Sequence, residues 1–146
     1  MMVRDLPMNR IEGLPLWIGN AADGRDWKGI FEYGVRAVVQ LAVEELPIDP
    51  PRDLLFFRFP LVDGEGNNPA ILRLAIDGVA RLIRADLPTL VCCAGGMSRS
   101  PAIAAAAISL ADGTDIHQSL EAVTKSHPSD VSTALWDEIL RAMRNR

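Results

Sequence analysis

The sequence predicts an α/β domain with a mainly parallel central sheet flanked by helices. Three observations carry this. Apolar runs of strand length alternate with segments of helical period through the first two-thirds of the chain. The last third reads as helix throughout. Between the two parts, residues 91–101 (VCCAGGMSRSP) read as a strand end, a tight glycine loop and a helix start. In parallel sheets the ligand site lies beyond the carboxyl ends of the strands, which is where this loop falls.

The elements follow in order. Leu16-Trp17-Ile18 is a short apolar strand closed by Gly19-Asn20. Residues 23–33 place Trp27, Ile30 and Phe31 at helical spacing, with Gly34 as a C-terminal stop. Residues 35–41 (VRAVVQL) are β-branched and apolar, as in a buried strand, and residues 54–59 (LLFFRF) form another. Residues 61–68 (LVDGEGNN) are a glycine- and asparagine-rich loop. Asn68-Pro69 starts a helix that ends near Leu87-Pro88, its apolar stripe formed by Ile71, Leu74, Ala75, Val79, Leu82 and Ile83. Residues 89–92 are a central strand. Helices over 101–110, 115–126 and 129–143 complete the domain, the last burying Leu135, Trp136, Ile139 and Leu140.

The 146 residues suit one domain spanning 1–146, with no repeat or linker. A net charge of -4 and the absence of a basic run argue against nucleic acid or an anionic membrane as partner. The first ten residues lack the apolar core of a signal peptide, and the apolar stretch 101–111 is too short to span a bilayer. The chain's two cysteines are adjacent, Cys92 and Cys93, a poor disulfide framework, so a reducing, cytoplasmic setting is expected. The sequence leaves oligomeric state open.

The loop from Cys93 to Arg99 is built for an anion. Ala94, Gly95, Gly96, Met97 and Ser98 can curl so that successive N–H groups point at one centre, and the glycines permit the angles. The following helix adds free N–H groups and its positive dipole end. Arg99 adds a planar two-pronged donor for phosphate oxygens. The same donors favour the thiolate of Cys93, which is the attacking form. A phosphate held there and attacked by sulfur also needs a proton donor for the leaving oxygen and a base for water. Asp63, on the glycine-rich loop, is the first candidate for both tasks, and Glu65 is the second. Ser100 is placed to hydrogen-bond the cysteine sulfur. No metal or organic cofactor is required.

These residues carry a resemblance. C-A-G-G-M-S-R-S at 93–100 resembles the phosphate loop of cysteine-dependent dual-specificity protein phosphatases, H-C-x-x-G-x-x-R-S, matching at Cys93, Gly96, Arg99 and Ser100. Leu16-Trp17-Ile18-Gly19-Asn20, Trp27-Lys28, residues 34–41, the aspartate loop and His127-Pro128 fall in the family's order, so the likeness covers about 11–142. It implies a protein-tyrosine-phosphatase-like fold, Cys93 as nucleophile, Arg99 as phosphate ligand, Asp63 as general acid, Ser100 as assistant, and a phosphorylated protein as substrate. The family's spacing also selects Cys93 over Cys92. One departure stands out: the family has histidine before the nucleophile, where this chain has Cys92. That histidine helps set the cysteine's surroundings, so its replacement implies weaker activity at neutral pH.

A weakly active phosphate-binding or scaffold module is the alternative reading. Sulfur transfer or arsenate reduction is a distant third, because the arsenate-reducing relatives carry their cysteine near the N-terminus. The bland assignments are Cys92 as a small buried residue, His117 and His127 as structural or surface groups, and Trp17, Trp27 and Trp136 as core or near-core. Arg58 is either a snorkelling edge residue or one that reaches the site, and Arg141, Arg144 and Arg146 are a solvated helix end.

Overall fold

Successive residues of a strand point to opposite faces, and the buried strands of this chain use both faces for packing. The computed structural model describes residues 8–145. Its five strands are β1 (Met8–Arg10), β2 (Leu16–Gly19), β3 (Ala37–Ala42), β4 (Leu55–Leu61) and β5 (Thr89–Cys92). They lie in the order β1-β2-β5-β3-β4, with β2, β5, β3 and β4 parallel and β1 antiparallel to β2 at one edge. β5 therefore lies at the centre, paired along its length with β2 and β3, and the loop that follows it emerges mid-sheet.

One face carries the short helix α1 (Trp27–Glu32). Here Met8, Ile30, Val35, Val38, Ile48, Leu54, Leu90 and Cys92 form a small core, joined by the half-buried Trp17 and Trp27. The larger core takes the opposite residues of the same strands, Ala37, Val39, Leu41, Val91 and Cys93, against helices α2 (Pro69–Arg84), α3 (Arg99–Asp112), α4 (Ile116–Ser126) and α5 (Thr133–Arg144). Alanines at 102 and 104–107 are fully buried, so α3 can lie close against its neighbours along most of its length. No described helix is long and apolar enough to cross a membrane.

Several boundaries differ from the sequence reading for local reasons. β1 was not anticipated: it is three residues long and buries one apolar side chain, Met8. The helix expected over 23–33 is divided into a tight turn, Asp23–Arg25, and α1, because the Asp26 side chain accepts from Gly29 N–H at 3.2 Å and starts a new helix. α3 begins at Arg99, two residues early, since Pro101 falls in its first turn, where a missing N–H costs nothing. α5 begins at Thr133, capped by Ser132, because residues 129–132 are used elsewhere. Asn68 caps α2 as expected, accepting from Ala70 N–H at 2.8 Å. Leu74, however, is 58% exposed, and the buried stripe of α2 runs through Leu72, Ala75, Ile76, Val79, Ala80 and Leu82. Arg146 and the first seven residues lie outside the described part.

Candidate active site

Strand alternation separates the two cysteines. Leu90 and Cys92 face α1, whereas Val91 and Cys93 face the large core, so the adjacent thiols point to opposite sides of the sheet. Cys92 Sγ is so close to the backbone that a Cβ on Gly24 would meet it at 2.7 Å. Burial, then the neighbouring charge of Cys93, pushes the Cys92 thiol up to about 12. It is a packed, protonated side chain. Cys93 instead lines a cavity of about 270 Å³ with Asp63, Gly95, Met97, Ser98, Arg99 and Asp130.

The loop between β5 and α3 is held from both flanks. On the β2 side, Ala21 N–H donates to the Ala94 carbonyl at 3.0 Å. Gly96 has φ +75°, and a Cβ there would lie 2.7 Å from the Gly19 carbonyl oxygen, so conformation and space both require glycine. On the other side, His127 donates from Nε2 to the Gly96 carbonyl at 2.7 Å and accepts at Nδ1 from the Asn9 amide at 2.8 Å. A carbonyl accepts only, which puts a proton on Nε2, and the Asn9 N–H needs the lone pair of Nδ1, which keeps the ring neutral. Burial lowers the His127 pKa, against a smaller opposing effect of the Gly96 bond. Asp130 N–H donates to the Met97 carbonyl at 2.7 Å, and Ser132 N–H donates to Ser98 Oγ at 2.9 Å. The connection from α4 to α5 thus grips the loop at three points, and this is what occupies residues 129–132.

Arg99 is buried, 4% exposed, at the first position of α3. Its Nη1 donates to Glu44 Oε1 at 2.6 Å and to the Leu61 carbonyl at 3.0 Å, and its Nη2 donates to Glu44 Oε2 at 2.5 Å. A guanidinium has five N–H donors in a fixed fork. Three are used, and the remaining two are Nε–H, which has no partner, and one hydrogen of Nη2. These two are parallel on one edge of the guanidinium, the pair that meets two oxygens of a phosphate side-on. Glu44, missed in the sequence reading, orients this edge, and Arg99 holds its carboxyl down to about 2. The Glu44 loop is itself braced: Gln40 and Arg25 donate to the Leu46 carbonyl, and Arg58 donates to the carbonyls of Val43 and Glu45. Arg58 therefore acts behind the site, supporting the loop that supports Arg99.

Asp63 reaches the cavity from the loop after β4, where its Oδ1 accepts from Ser98 Oγ–H at 2.6 Å. Glu65 is exposed and does not line the cavity. Ser100 is fully buried, but its hydroxyl has no hydrogen-bond partner, so the expected bond to the cysteine sulfur is not formed here. Asp130, which no sequence pattern marked, puts a second carboxylate on the rim. His127 is structural, as expected, and its place is behind the phosphate loop. Among the described residues no group of three or more His, Cys, Asp or Glu side chains is arranged to hold a metal ion.

Solved structures share this arrangement of sheet and helices. A mouse protein described as a dual specificity phosphatase, complexed with zinc tungstate, superposes with a TM-score of 0.85 at 19% identity, over 99% of this chain and 91% of that one. Human DUSP28 gives 0.82 at 20% identity, over 95% and 94%. The fold is that of the dual specificity phosphatases. A human tyrosine phosphatase-like serine/threonine/tyrosine-interacting protein also superposes, with a TM-score of 0.78 at 15% identity over 95% of this chain and 97% of that one. At these identities the likeness is one of fold. No protein-family model and no curated protein matches the sequence.

Proposed function

We propose that the protein is a phosphomonoesterase that hydrolyses phosphotyrosine, and more broadly phosphoserine and phosphothreonine, in protein substrates through a cysteinyl-phosphate intermediate. The observation that carries this reading is the unspent donor edge of buried Arg99 on the same cavity as Cys93. A buried donor without a partner is costly, and an oxyanion that accepts from it removes that cost.

The positions support the following chemistry. The phosphoryl oxygens take the N–H groups of the 94–98 loop, the start of α3 and the free edge of Arg99. The thiolate of Cys93 attacks phosphorus, forming an S–P bond as the P–O bond to the leaving group breaks. Asp63 gives its proton to the departing oxygen. It then takes a proton from water, whose oxygen attacks the phosphocysteine and returns the sulfur as thiolate. Ser100 follows Arg99 at the start of α3, and its free hydroxyl is available to stabilise that leaving thiolate.

The alternative is a module that binds phosphorylated residues with little turnover. Cys92 in the position of the family's histidine and the unmade Ser100 bond favour it.

The test is hydrolysis of 4-nitrophenyl phosphate and of phosphotyrosine, phosphoserine and phosphothreonine peptides in reductant, for wild type, Cys93→Ser and Asp63→Asn. The reading expects turnover by wild type, none by Cys93→Ser, and a phosphorylated cysteine peptide after an acid quench. Asp63→Asn should lose about 100-fold or more on substrates with basic leaving groups. Tight phosphopeptide binding without turnover by wild type from about pH 5 to 7.5 would replace catalysis with the binding module.

A further inference from the structure

Asp63 has to be aimed, yet it sits on an exposed loop with glycines on its far side, Gly64 at φ +156° and Gly66 at φ +99°. Such a loop has little stiffness of its own. The backbone on either side of Asp63 is tied together by one side chain. Asn67 folds back into the loop, where its Oδ1 accepts from Val62 N–H at 2.7 Å, and its Nδ2 donates to the carbonyls of Val62 and Gly64, each at 3.1 Å. Val62 and Gly64 are the two neighbours of Asp63 in the chain. Asn67 therefore clasps the backbone on both sides of the acid.

Asn67 is held in turn by α5. Glu138 Oε1 accepts from Asn67 N–H at 3.1 Å and lies 3.0 Å from Asn67 Nδ2, whose two hydrogens it shares with the Val62 and Gly64 carbonyls, while Oε2 accepts from Gly66 N–H at 2.7 Å. One carboxylate thus takes three donors from a segment more than seventy residues away in sequence. Partial burial raises the Glu138 pKa, but the donors of Gly66 and Asn67 outweigh it and hold the carboxyl below its ordinary range. The same end of the chain grips the phosphate loop through His127, Asp130 and Ser132. The two halves of the site, nucleophile loop and acid loop, are both referenced to residues 127–138.

We propose that Glu138, acting through Asn67, is a positioning residue that registers the Asp63 loop against the phosphate loop, so that the proton reaches the leaving oxygen. The role rests on the phosphatase reading above. It touches no substrate and performs no chemistry itself. It determines whether Asp63 is within reach when the P–O bond breaks, and a displacement on the order of 1 Å at such a group costs about 100-fold.

Glu138→Gln tests it at constant volume, because the amide presents one acceptor and one donor to three N–H donors. The readout is dependence on leaving group. Phenyl phosphate needs its oxygen protonated, and 2,4-dinitrophenyl phosphate does not. We expect kcat/KM, which reports the steps up to the phosphocysteine and not the water step that Asp63 also serves, to fall about tenfold or more on phenyl phosphate and to stay within about twofold on 2,4-dinitrophenyl phosphate. Asn67→Ala should reproduce the pattern, and Glu121→Gln, on the exposed side of α4, should not. Hydrogen exchange at the Gly66 and Asn67 amides should quicken in Glu138→Gln, a readout independent of turnover. Equal losses on both esters, or unchanged exchange at 66 and 67, overturn the positioning role. Wild type inert on both esters, with Cys93 never phosphorylated, overturns the phosphatase reading instead. Because exchange is read without turnover, it still decides whether Glu138 holds the loop.

Discussion

Arg99 gives both terminal nitrogens to the carboxylate of Glu44, at 2.6 and 2.5 Å, and keeps its Nε–H edge unbonded. The pairing is asymmetric in burial, since the Arg99 side chain is 5% exposed and that of Glu44 is 51% exposed. A buried guanidinium is expensive unless compensated, and Glu44 compensates it from the solvent side without occupying the edge that meets phosphate. Glu44 therefore has two effects, offsetting the guanidinium charge and fixing the plane of the fork.

Glu44→Gln should lower kcat/KM for aryl phosphates about tenfold, because an amide opposes one N–H of the guanidinium and turns the fork. Stability carries a pH signature. The folded Glu44 carboxyl lies near 2, below its ordinary value of 4.5. The stabilisation is therefore complete above about 4.5 and is lost as pH falls toward 2. Melting temperatures of wild type and Glu44→Gln should differ by a constant amount from neutral pH down to about 5 and converge below it.

The two thiols should separate cleanly in experiment. Cys93→Ser should abolish turnover. Cys92→Ser should retain it and cost about 1–3 kcal/mol of stability, since a hydroxyl enters an apolar cluster beside Ile48 and Leu90 without a partner. Limited alkylation near neutral pH should label Cys93 and leave Cys92 unmodified, because burial keeps the Cys92 thiol protonated. Peptide mapping after reaction with iodoacetamide reads this directly.

The phosphate loop was legible because its function is local. Cys93, Gly96 and Arg99 are fixed by spacing within one turn, and no distant residue is needed to recognise them. Strands β2 to β5 were legible from their apolar runs and α2 from its periodicity and the Asn68-Pro69 start, whereas the three-residue β1 was not. What supports the loop was not legible, because each support is a long-range pairing of ordinary residues. Glu44 lies 55 positions from Arg99, and Glu138 lies 71 from Asn67. A glutamate on a loop or a helix reads as a solvated charge until folding brings its partner close. Leu74 illustrates the converse: its spacing fits a stripe, but the helix turns it to solvent and buries Leu72 and Ile76.

Asp130 gives the rim a negative bias next to Asp63, and the loop interior carries no lysine to offset it. Phosphopeptides with basic residues beside the phosphorylated one should be better substrates than acidic ones. An exposed pair at about 4 Å is worth roughly 1 kcal/mol in water, or about fivefold. Asp130→Asn should narrow the ratio of kcat/KM between a lysine-flanked and a glutamate-flanked phosphotyrosine peptide by about that factor. The ratio should also shrink as salt is raised. Equal ratios for wild type and variant would remove Asp130 from specificity.

His127 makes the phosphate loop sensitive to acid. The neutral ring donates to the Gly96 carbonyl and accepts from Asn9, and its folded pKa is below the ordinary 6.5. Protonation therefore favours the unfolded chain. Its contribution is fully present above about 6.5 and declines as pH falls below that value, until the folded ring also takes a proton. The protonated ring would turn a second N–H toward the Asn9 amide, donor against donor, and loosen the far side of the loop. His127→Gln preserves the donor to Gly96 and does not titrate. Its melting temperature should be lower than wild type at pH 8, with a smaller decrease between about pH 6.5 and 5. The same variant should raise KM for aryl phosphate more than it lowers kcat, because the Gly96 segment binds the phosphoryl oxygens and donates no proton. A parallel decrease for both proteins across that range would assign the acid sensitivity to other groups.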